Sequence, residues 1–189
     1  SDLLTDYKDN GFGFAVGRDA GTPRDGWYGG AFTFYTGDVS QTLPRATKTD
    51  TEWYMLTGYT DWHGRHVFLD TKLDVGYGDF RGHRDMTVGT LSRQADGKRA
   101  GLLAALGATT GVDLKYGGLD VTPHISLDGM TLREEGYYED GGQALNLQVA
   151  PYYGNSLRTA LGLDFKGSFD LWSVTMTPEA RVGYRYDLV

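Results

Sequence analysis

The sequence has no cysteine among its 189 residues and no long hydrophobic run. Without cysteine the chain forms no disulfide and carries no thiolate for catalysis or metal binding. No segment approaches the roughly 20 apolar residues of a spanning helix, so helical membrane insertion is excluded. That test does not detect membrane-spanning strands, because they alternate lipid-facing and lumen-facing side chains and average to moderate polarity.

Motifs for catalysis and for nucleic-acid binding are also missing. There is no Gly-x-Ser-x-Gly, no His-Glu-x-x-His and no phosphate-binding loop. The net charge is −7, and no basic stripe with interleaved aromatic residues indicates a nucleic-acid partner. His63, His66 and His83 do not predict a shared metal site, because the first two flank a predicted turn and the third lies at the opposite rim. We predict no enzyme activity, no metal and no cofactor.

Glycine and aromatic residues are abundant. The chain has 28 Gly, and 13% of its residues are aromatic, with 13 Tyr. Together with alternating polarity, this composition favours β structure. No linker or charge block divides the chain, so we treat 1–189 as one domain.

Alternation of apolar and polar residues is the strongest signal, and it is most regular over 173–188, which we predict to be one long strand. The same pattern predicts strands near 12–16, 28–34, 67–77, 104–116, 121–128, 145–151 and 157–166. The segment 52–62 is ambiguous because aromatic residues occupy both faces. The pattern predicts about nine antiparallel strands.

The predicted connections alternate in length. Short turns are expected at 62–65, 116–119 and 153–156, and long loops at 40–51, 81–98 and 133–142. Short turns at one rim and long loops at the other are typical of outer-membrane barrels. We therefore predict an all-β antiparallel transmembrane β-barrel.

The alternation assigns side chains to two environments. Mixed charges on one face are costly in a dry core and suited to a hydrated lumen. The predicted lumen-lining residues are Asp70, Lys72, Asp74, Asp113, Lys115, His124, Asp128, Arg158, Asp164, Lys166, Glu179, Arg181, Arg185 and Asp187. The predicted lipid-facing residues are Val67, Leu69, Leu73, Val75, Leu106, Val112, Leu157, Leu161, Leu163, Val174, Met176, Val182 and Tyr184.

A soluble β-sandwich or lipocalin-like barrel would also alternate. Strand length, abundant glycine on the lumen side and aromatic residues near strand ends favour the membrane interpretation. Aromatic girdles at both interfaces are the expected role of those aromatic residues.

Several short segments resemble the autotransporter β-domain of type V secretion. They are 10–17 (NGFGFAVG), 58–61 (GYTD), 137–144 (YYEDGGQA) and 176–184 (MTPEARVGY), in the family's order. The resemblance covers nearly the whole chain. It departs from the family in strand number, since family barrels have about twelve strands, and in lacking a terminal aromatic residue. From this we expect a domain that is incomplete at its C-terminus.

The resemblance implies a Gram-negative outer-membrane translocator that anchors and assists export or surface display of a passenger segment. It also implies contacts with outer-membrane lipid and lipopolysaccharide, with the barrel-insertion machinery and with the protein's own passenger. Two alternatives stay open: a small porin-like or structural barrel, and a hydrolase active at the barrel rim.

Overall fold

The computed structural model describes residues 7–22, 26–41 and 47–189. This part contains thirteen strands and one short 3₁₀ helix. The strands are β1 Tyr7–Thr22, β2 Gly26–Gln41, β3 Thr47–His63, β4 Val67–Val88, β5 Leu91–Val112, β6 Leu114–Tyr116, β7 Leu119–Glu134, β8 Tyr137–Tyr138, β9 Gln148–Val149, β10 Tyr152–Gly167, β11 Phe169–Leu171, β12 Val174–Met176 and β13 Glu179–Asp187; the 3₁₀ helix η1 is Gln143–Leu145. Within these ranges no helix is both long and apolar enough to cross a membrane.

One antiparallel sheet holds most of the chain, in the order β1-β2-β3-β4-β5-β7-β10-β13, with β6 continuing β5 beside β7. The prediction of antiparallel all-β structure is confirmed. Each strand is hydrogen-bonded to the neighbours that sequence order suggests, because short connections favour antiparallel pairing. Among the described residues, β1 pairs only with β2 and β13 only with β10.

The two ends of the sheet differ. At one end, which we call the turn end, β3 connects to β4 across 64–66 and β6 connects to β7 across Gly117 and Gly118. Both tight turns match the sequence prediction. At the opposite end, the loop end, β7 connects to β10 through 135–151. Of the predicted loop 40–51, the outer residues belong to β2 and β3, and 42–46 lie outside the described residues.

Of the predicted strand at 145–151 only Gln148–Val149 is a strand, and the predicted turn at 153–156 is wrong. Residues 153–156 belong to β10 and pair with Arg133, Leu132, Thr131 and Met130 of β7. The segment before β10 contains η1 and the short strand β9, which pairs with β8. A Gly-Asn-Ser sequence favours a turn locally, but sixteen paired residues along β7 outweigh that preference. Among the described residues the main sheet holds nine strands, as predicted, and it is eight strands wide because β6 continues β5 beside β7.

The predicted loops 81–98 and 133–142 are also more ordered than expected. β4 and β5 pair without interruption as far as Val88 and Leu91, with Gly89 at φ +61° in the connecting turn. At about 3.3 Å per residue, the 22 residues of β4 extend about 70 Å. β7 continues to Glu134, and 137–138 form β8.

The predicted single strand at 173–188 is interrupted at Thr177 and Pro178. Pro178 has no N–H to donate to a ladder, although its carbonyl accepts a hydrogen bond from the Gly167 N–H at 2.9 Å. Val174–Met176 is β12, which pairs with β11 in a separate two-stranded sheet. This pair continues the same hydrogen-bonding register as the pair β10-β13. Trp172, at φ +55°, lies in the turn between them.

The buried apolar side chains of the described residues are few and lie together near the loop end. They are Phe80, Met86 and Ala95, on the extensions of β4 and β5. Elsewhere the large apolar side chains remain uncovered: Leu56 is 64% exposed, Leu106 57% and Val182 65%. A soluble domain would bury such side chains, so this sheet requires an apolar surrounding.

Candidate functional site: two faces of one sheet

The strand register places the predicted lumen residues on one face of the sheet. Cross-strand partners in an antiparallel sheet project to the same side. One row runs from Tyr59 through Lys72, Gly107, Asp128 and Arg158 to Asp187. Two further rows, nearer the turn end, join Thr122, Asp164 and Arg181, and Lys115, Asp120, Lys166 and Glu179. We call this side the polar face.

Opposite charges on the polar face are paired across strands. Arg181 donates through Nε to Asp164 Oδ1 at 2.6 Å and through Nη2 to Oδ2 at 3.2 Å. Lys166 Nζ lies 3.0 Å from Glu179 Oε1, and Arg158 Nε lies 3.0 Å from Asp187 Oδ1. All of these side chains are more than half exposed except Asp164, which is one-third exposed. Each pair therefore adds little stability alone, but together they form a wall in which charges of both signs are satisfied.

The interior of β4 continues this wall. Lys72 Nζ lies 3.1 Å from Asp74 Oδ2, and the Thr57 hydroxyl donates to Asp74 Oδ1 at 2.6 Å. An open groove of about 370 Å³ runs beside these residues, with Asp128 and Arg158 on its opposite wall. The polar face can therefore hold water and charged peptide groups.

Glycine on the polar face makes room for large side chains. A β-carbon at Gly29 would lie 2.6 Å from the Tyr59 ring, and one at Gly162 would lie 2.3 Å from the His124 ring. Tyr59 and His124 therefore lie flat over the neighbouring strand instead of projecting from the sheet. This packing accounts for part of the glycine content.

The other face carries a band of apolar side chains, which we call the apolar band. On β4 it extends from Val67 to Tyr77, eleven residues, and the next residues on this face are Asp79 and Arg81. Eleven residues cover about 33 Å along the strand. A tilt of about 40° reduces this to about 25 Å, the height of the apolar belt of outer-membrane barrels.

The upper border of the band lies at the same level on neighbouring strands. Tyr77 pairs with Tyr54 on one side and Leu102 on the other, and one step further Asp79 pairs with Glu52. The Arg133 guanidinium lies over the Tyr153 ring, 5.6 Å from its centre, at this border. Aromatic and long basic side chains at the border are suited to the headgroup region of a membrane.

Beyond the band, the loop-end segment 135–151 packs on the extended β4-β5 hairpin. Asp96 and Asp140 exchange two backbone hydrogen bonds of 2.8 Å. The guanidinium of Arg84 binds the Glu139 carboxylate through two nitrogens, and their side chains are only 14% and 7% exposed. Arg84 holds the pKa of Glu139 below its usual value. We call this assembly the loop-end cap.

A further cluster lies on the polar face near the turn end. One ligand atom from each of Asp61, His63 and Asp70 falls within 4.8 Å of the others. His63 Nδ1 and Asp61 Oδ1 are 2.7 Å apart, and the His63 ring stacks on Phe68. The alternation pattern does not join these residues, because Asp70 reaches the cluster only through the register of β3 with β4.

The register brings the predicted charged residues of β4, β7, β10 and β13 onto one face, with Asp113 accepting a hydrogen bond from Thr122 at 2.9 Å. Most of the predicted lipid-facing residues share the apolar band, but Val174 and Met176 lie in the separate β11-β12 sheet. That the two faces meet lumen and lipid stays a prediction. The Arg84–Glu139 pair was not anticipated.

Comparison with known proteins identifies the family. The model of the autotransporter β-domain matches residues 1–189. No curated protein matches significantly. The translocator domain of the autotransporter NalP from Neisseria meningitidis has 21% sequence identity and a TM-score of 0.71, and the match covers 100% of this chain and 64% of that domain. The β-domain of the Bordetella autotransporter BrkA has 21% identity and a TM-score of 0.57, and the match covers 96% of this chain and 73% of that domain.

The chain is an outer-membrane β-barrel domain of the kind used in type V secretion. It belongs to the autotransporter β-domain family. It spans less than two thirds of the NalP translocator domain. Autotransporter β-domains are translocators and not themselves enzymes, and they reside in the Gram-negative outer membrane, so both the predicted family and the predicted location are confirmed.

Proposed function

We propose that this domain anchors the protein in the outer membrane and assists export or surface display of a passenger segment of the same polypeptide. One observation carries the proposal: a continuous charged face and an apolar band occupy opposite sides of one sheet in a member of the autotransporter family. The apolar band supplies the anchor. The polar face supplies a hydrated surface along which a polar chain can pass without losing its hydrogen bonds.

The proposed function requires no catalytic activity of the domain. Two histidines on the polar face of the described residues lie beside an acid: His63, whose Nδ1 is 2.7 Å from Asp61 Oδ1, and His124, whose Nδ1 is 3.8 Å from Asp164 Oδ2. The Asp164 carboxylate is already bound by Arg181. The His124–Asp164 pair therefore belongs to the charged wall, and this arrangement gives no support to the hydrolase alternative.

The proposed partners follow from the two surfaces. Lipid and lipopolysaccharide would contact the apolar band and the polar border above it. The passenger would contact the polar face during export. The barrel-insertion machinery would pair with exposed strand edges, because unpaired backbone groups cannot remain within hydrocarbon.

Display of an epitope on intact cells tests the proposal. The full-length protein is expressed with an epitope in its passenger, and antibody binding to whole cells is compared with binding after permeabilisation. We expect the epitope at the cell surface whenever the domain is inserted. A variant with Leu106→Arg, which places a cation in the apolar band, should insert less well and display correspondingly less epitope.

An inserted barrel with the epitope retained in the periplasm would contradict the proposal. That result would support the structural or porin-like alternative, and small-solute flux through the purified protein would then separate those two. Insertion is followed by resistance of the domain to extraction from outer membranes.

A further inference from the structure

We propose that Asp61, His63 and Asp70 form a binding site for a divalent transition-metal ion, with Zn²⁺ as the best fit. This site was not expected from the sequence and does not depend on the proposed export function. Asp61 and His63 are two residues apart on β3 and so project to the same face, and Asp70 is the cross-strand partner of Asp61 on β4.

The first argument is geometric. The three ligand atoms lie within 4.8 Å of one another. A tetrahedral Zn²⁺ ion, with bonds of about 2.0–2.2 Å to imidazole nitrogen and carboxylate oxygen, holds its ligand atoms about 3.3 Å apart. Small side-chain rotations therefore suffice to bring the three groups onto one ion, and solvent can provide a fourth ligand because the Asp61 and His63 side chains are 47% and 48% exposed.

The second argument is electrostatic. Two carboxylates directly opposite each other on neighbouring strands repel, which destabilises a sheet. Among the described residues, no lysine or arginine pairs with Asp61 or Asp70, whereas the next acid along β4, Asp74, is paired with Lys72. A divalent cation would neutralise both charges at once.

The third argument concerns Asp70 alone. Its Oδ1 atom is hidden from solvent and has no hydrogen-bond partner within the described part of the chain. A carboxylate oxygen without a partner costs free energy, and an ion or an ordered water usually accounts for such an atom. Asp70 lies in the cluster, so a cation held there gives its carboxylate the charged partner that it lacks.

The donor set determines the kind of ion. Mg²⁺ and Ca²⁺ bind through oxygen ligands in sets of six or more. One imidazole with two carboxylates is a set that suits zinc and related first-row ions. The ion would link β3 to β4 at the turn end and fix the two strands beside their short connection.

The test measures metal bound to the full-length protein purified from outer membranes in detergent, after chelation and titration with Zn²⁺ alone. We expect one ion fewer, or at least about tenfold weaker binding, in His63→Gln and in Asp70→Asn. Folding of each variant is checked by its heat-dependent mobility in detergent gels. Replacement of zinc by Co²⁺ should give visible absorption bands that disappear in the same two variants.

His83→Gln is the matched control. His83 also lies between two acids, but it contacts Asp96 through Nδ1 at 2.7 Å and Asp50 through Nε2 at 3.7 Å, on opposite sides of the ring. One ion cannot collect both, so this variant should bind zinc normally.

Three outcomes would overturn the proposal. The first is wild-type protein that retains no Zn²⁺ at micromolar concentrations, a result that does not require any variant to fold. The second is zinc binding unchanged in both site variants. The third is a cation lost in Asp70→Asn but kept in His63→Gln, which would indicate an oxygen-only site.

Discussion

Placing the same charged residue at two adjacent positions of β5 gives a direct test of the two faces. Leu106 projects into the middle of the apolar band, between Leu73 and Gly129, and its side chain is 57% exposed. Ala105 projects to the polar face, opposite Asp74. The two positions lie at the same depth, so depth and strand are matched and only the face differs.

The expected magnitudes differ severalfold. An arginine on the lipid side at the midplane costs about 2–4 kcal/mol. At Ala105 the new side chain enters the open groove of about 370 Å³, near the carboxylates of Asp74 and Asp128. A substitution in such hydrated surroundings changes stability by about 0.5 kcal/mol or less. Leu106→Arg should therefore be about 2–3 kcal/mol less stable than Ala105→Arg.

Denaturant titration of the protein folded into lipid vesicles, followed by tryptophan fluorescence, measures both free energies of unfolding. The wild type and Leu106→Ala serve as references for the loss of the leucine itself. Equal losses for the two arginine variants, or a greater loss for Ala105→Arg, would refute the assignment of faces.

Further predictions concern the loop-end cap. Glu139→Gln should destabilise the cap by about 1–3 kcal/mol, because it leaves the buried Arg84 guanidinium without its anionic partner; faster proteolysis within 135–151 would show it. The pKa of the Glu139 carboxyl is lowered in the fold, so the Arg84–Glu139 pair should stabilise the cap fully above the ordinary pKa of 4.5 and lose this effect as pH falls through the lowered pKa. Hydrogen exchange of the cap should show this pH dependence in the wild type but not in Glu139→Gln. Gly97→Ala should lower the free energy of unfolding by about 1–3 kcal/mol, because the new β-carbon would lie 2.3 Å from the Tyr137 ring. Gly82→Ala, at the cross-strand partner position, should be tolerated, because the nearest atom to its β-carbon is 3.9 Å away. Thermal unfolding of both variants tests this, and equal effects would contradict the packing.

Period-two alternation predicted most strands of the main sheet and which of their residues share a face, although it placed a strand at 145–151 and left 52–62 ambiguous. It works here because the strands carry apolar side chains on one side and polar side chains on the other, so a shift of one residue in β4 would exchange the two sets. The same constraint located the turns at 64–66 and 117–118, where the alternation stops between two strands.

The errors occur where local sequence and long-range pairing disagree. Tyr153, Gly154 and Asn155 have the composition of a turn, but their pairing with β7 determines their structure. The strand extensions beyond the apolar band carry charges on both faces, so alternation does not distinguish them from a loop. These extensions are ordered because segment 135–151 packs on them and because Arg84 pairs with Glu139, a residue 55 positions away in sequence.

The cluster of Asp61, His63 and Asp70 shows the same limit at the scale of a site. His63 and Asp61 are recognisable as neighbours on one face of a strand. Asp70 joins them only through the register of β3 with β4, in which Asp61 faces Asp70. Register is determined by the turn and by the whole strand pair, so the sequence alone did not reveal the third ligand.

The most direct measurement of the central claim uses the absence of cysteine in the chain. Single cysteines at successive positions of β4, from Thr71 to Val75, would each carry a spin label in protein folded into lipid vesicles. The account predicts that labels at 71, 73 and 75 are relaxed by lipid-soluble oxygen and labels at 72 and 74 by a water-soluble nickel complex. Loss of this alternation, or the opposite phase, would contradict the assignment of an apolar lipid-facing band and a polar lumen face.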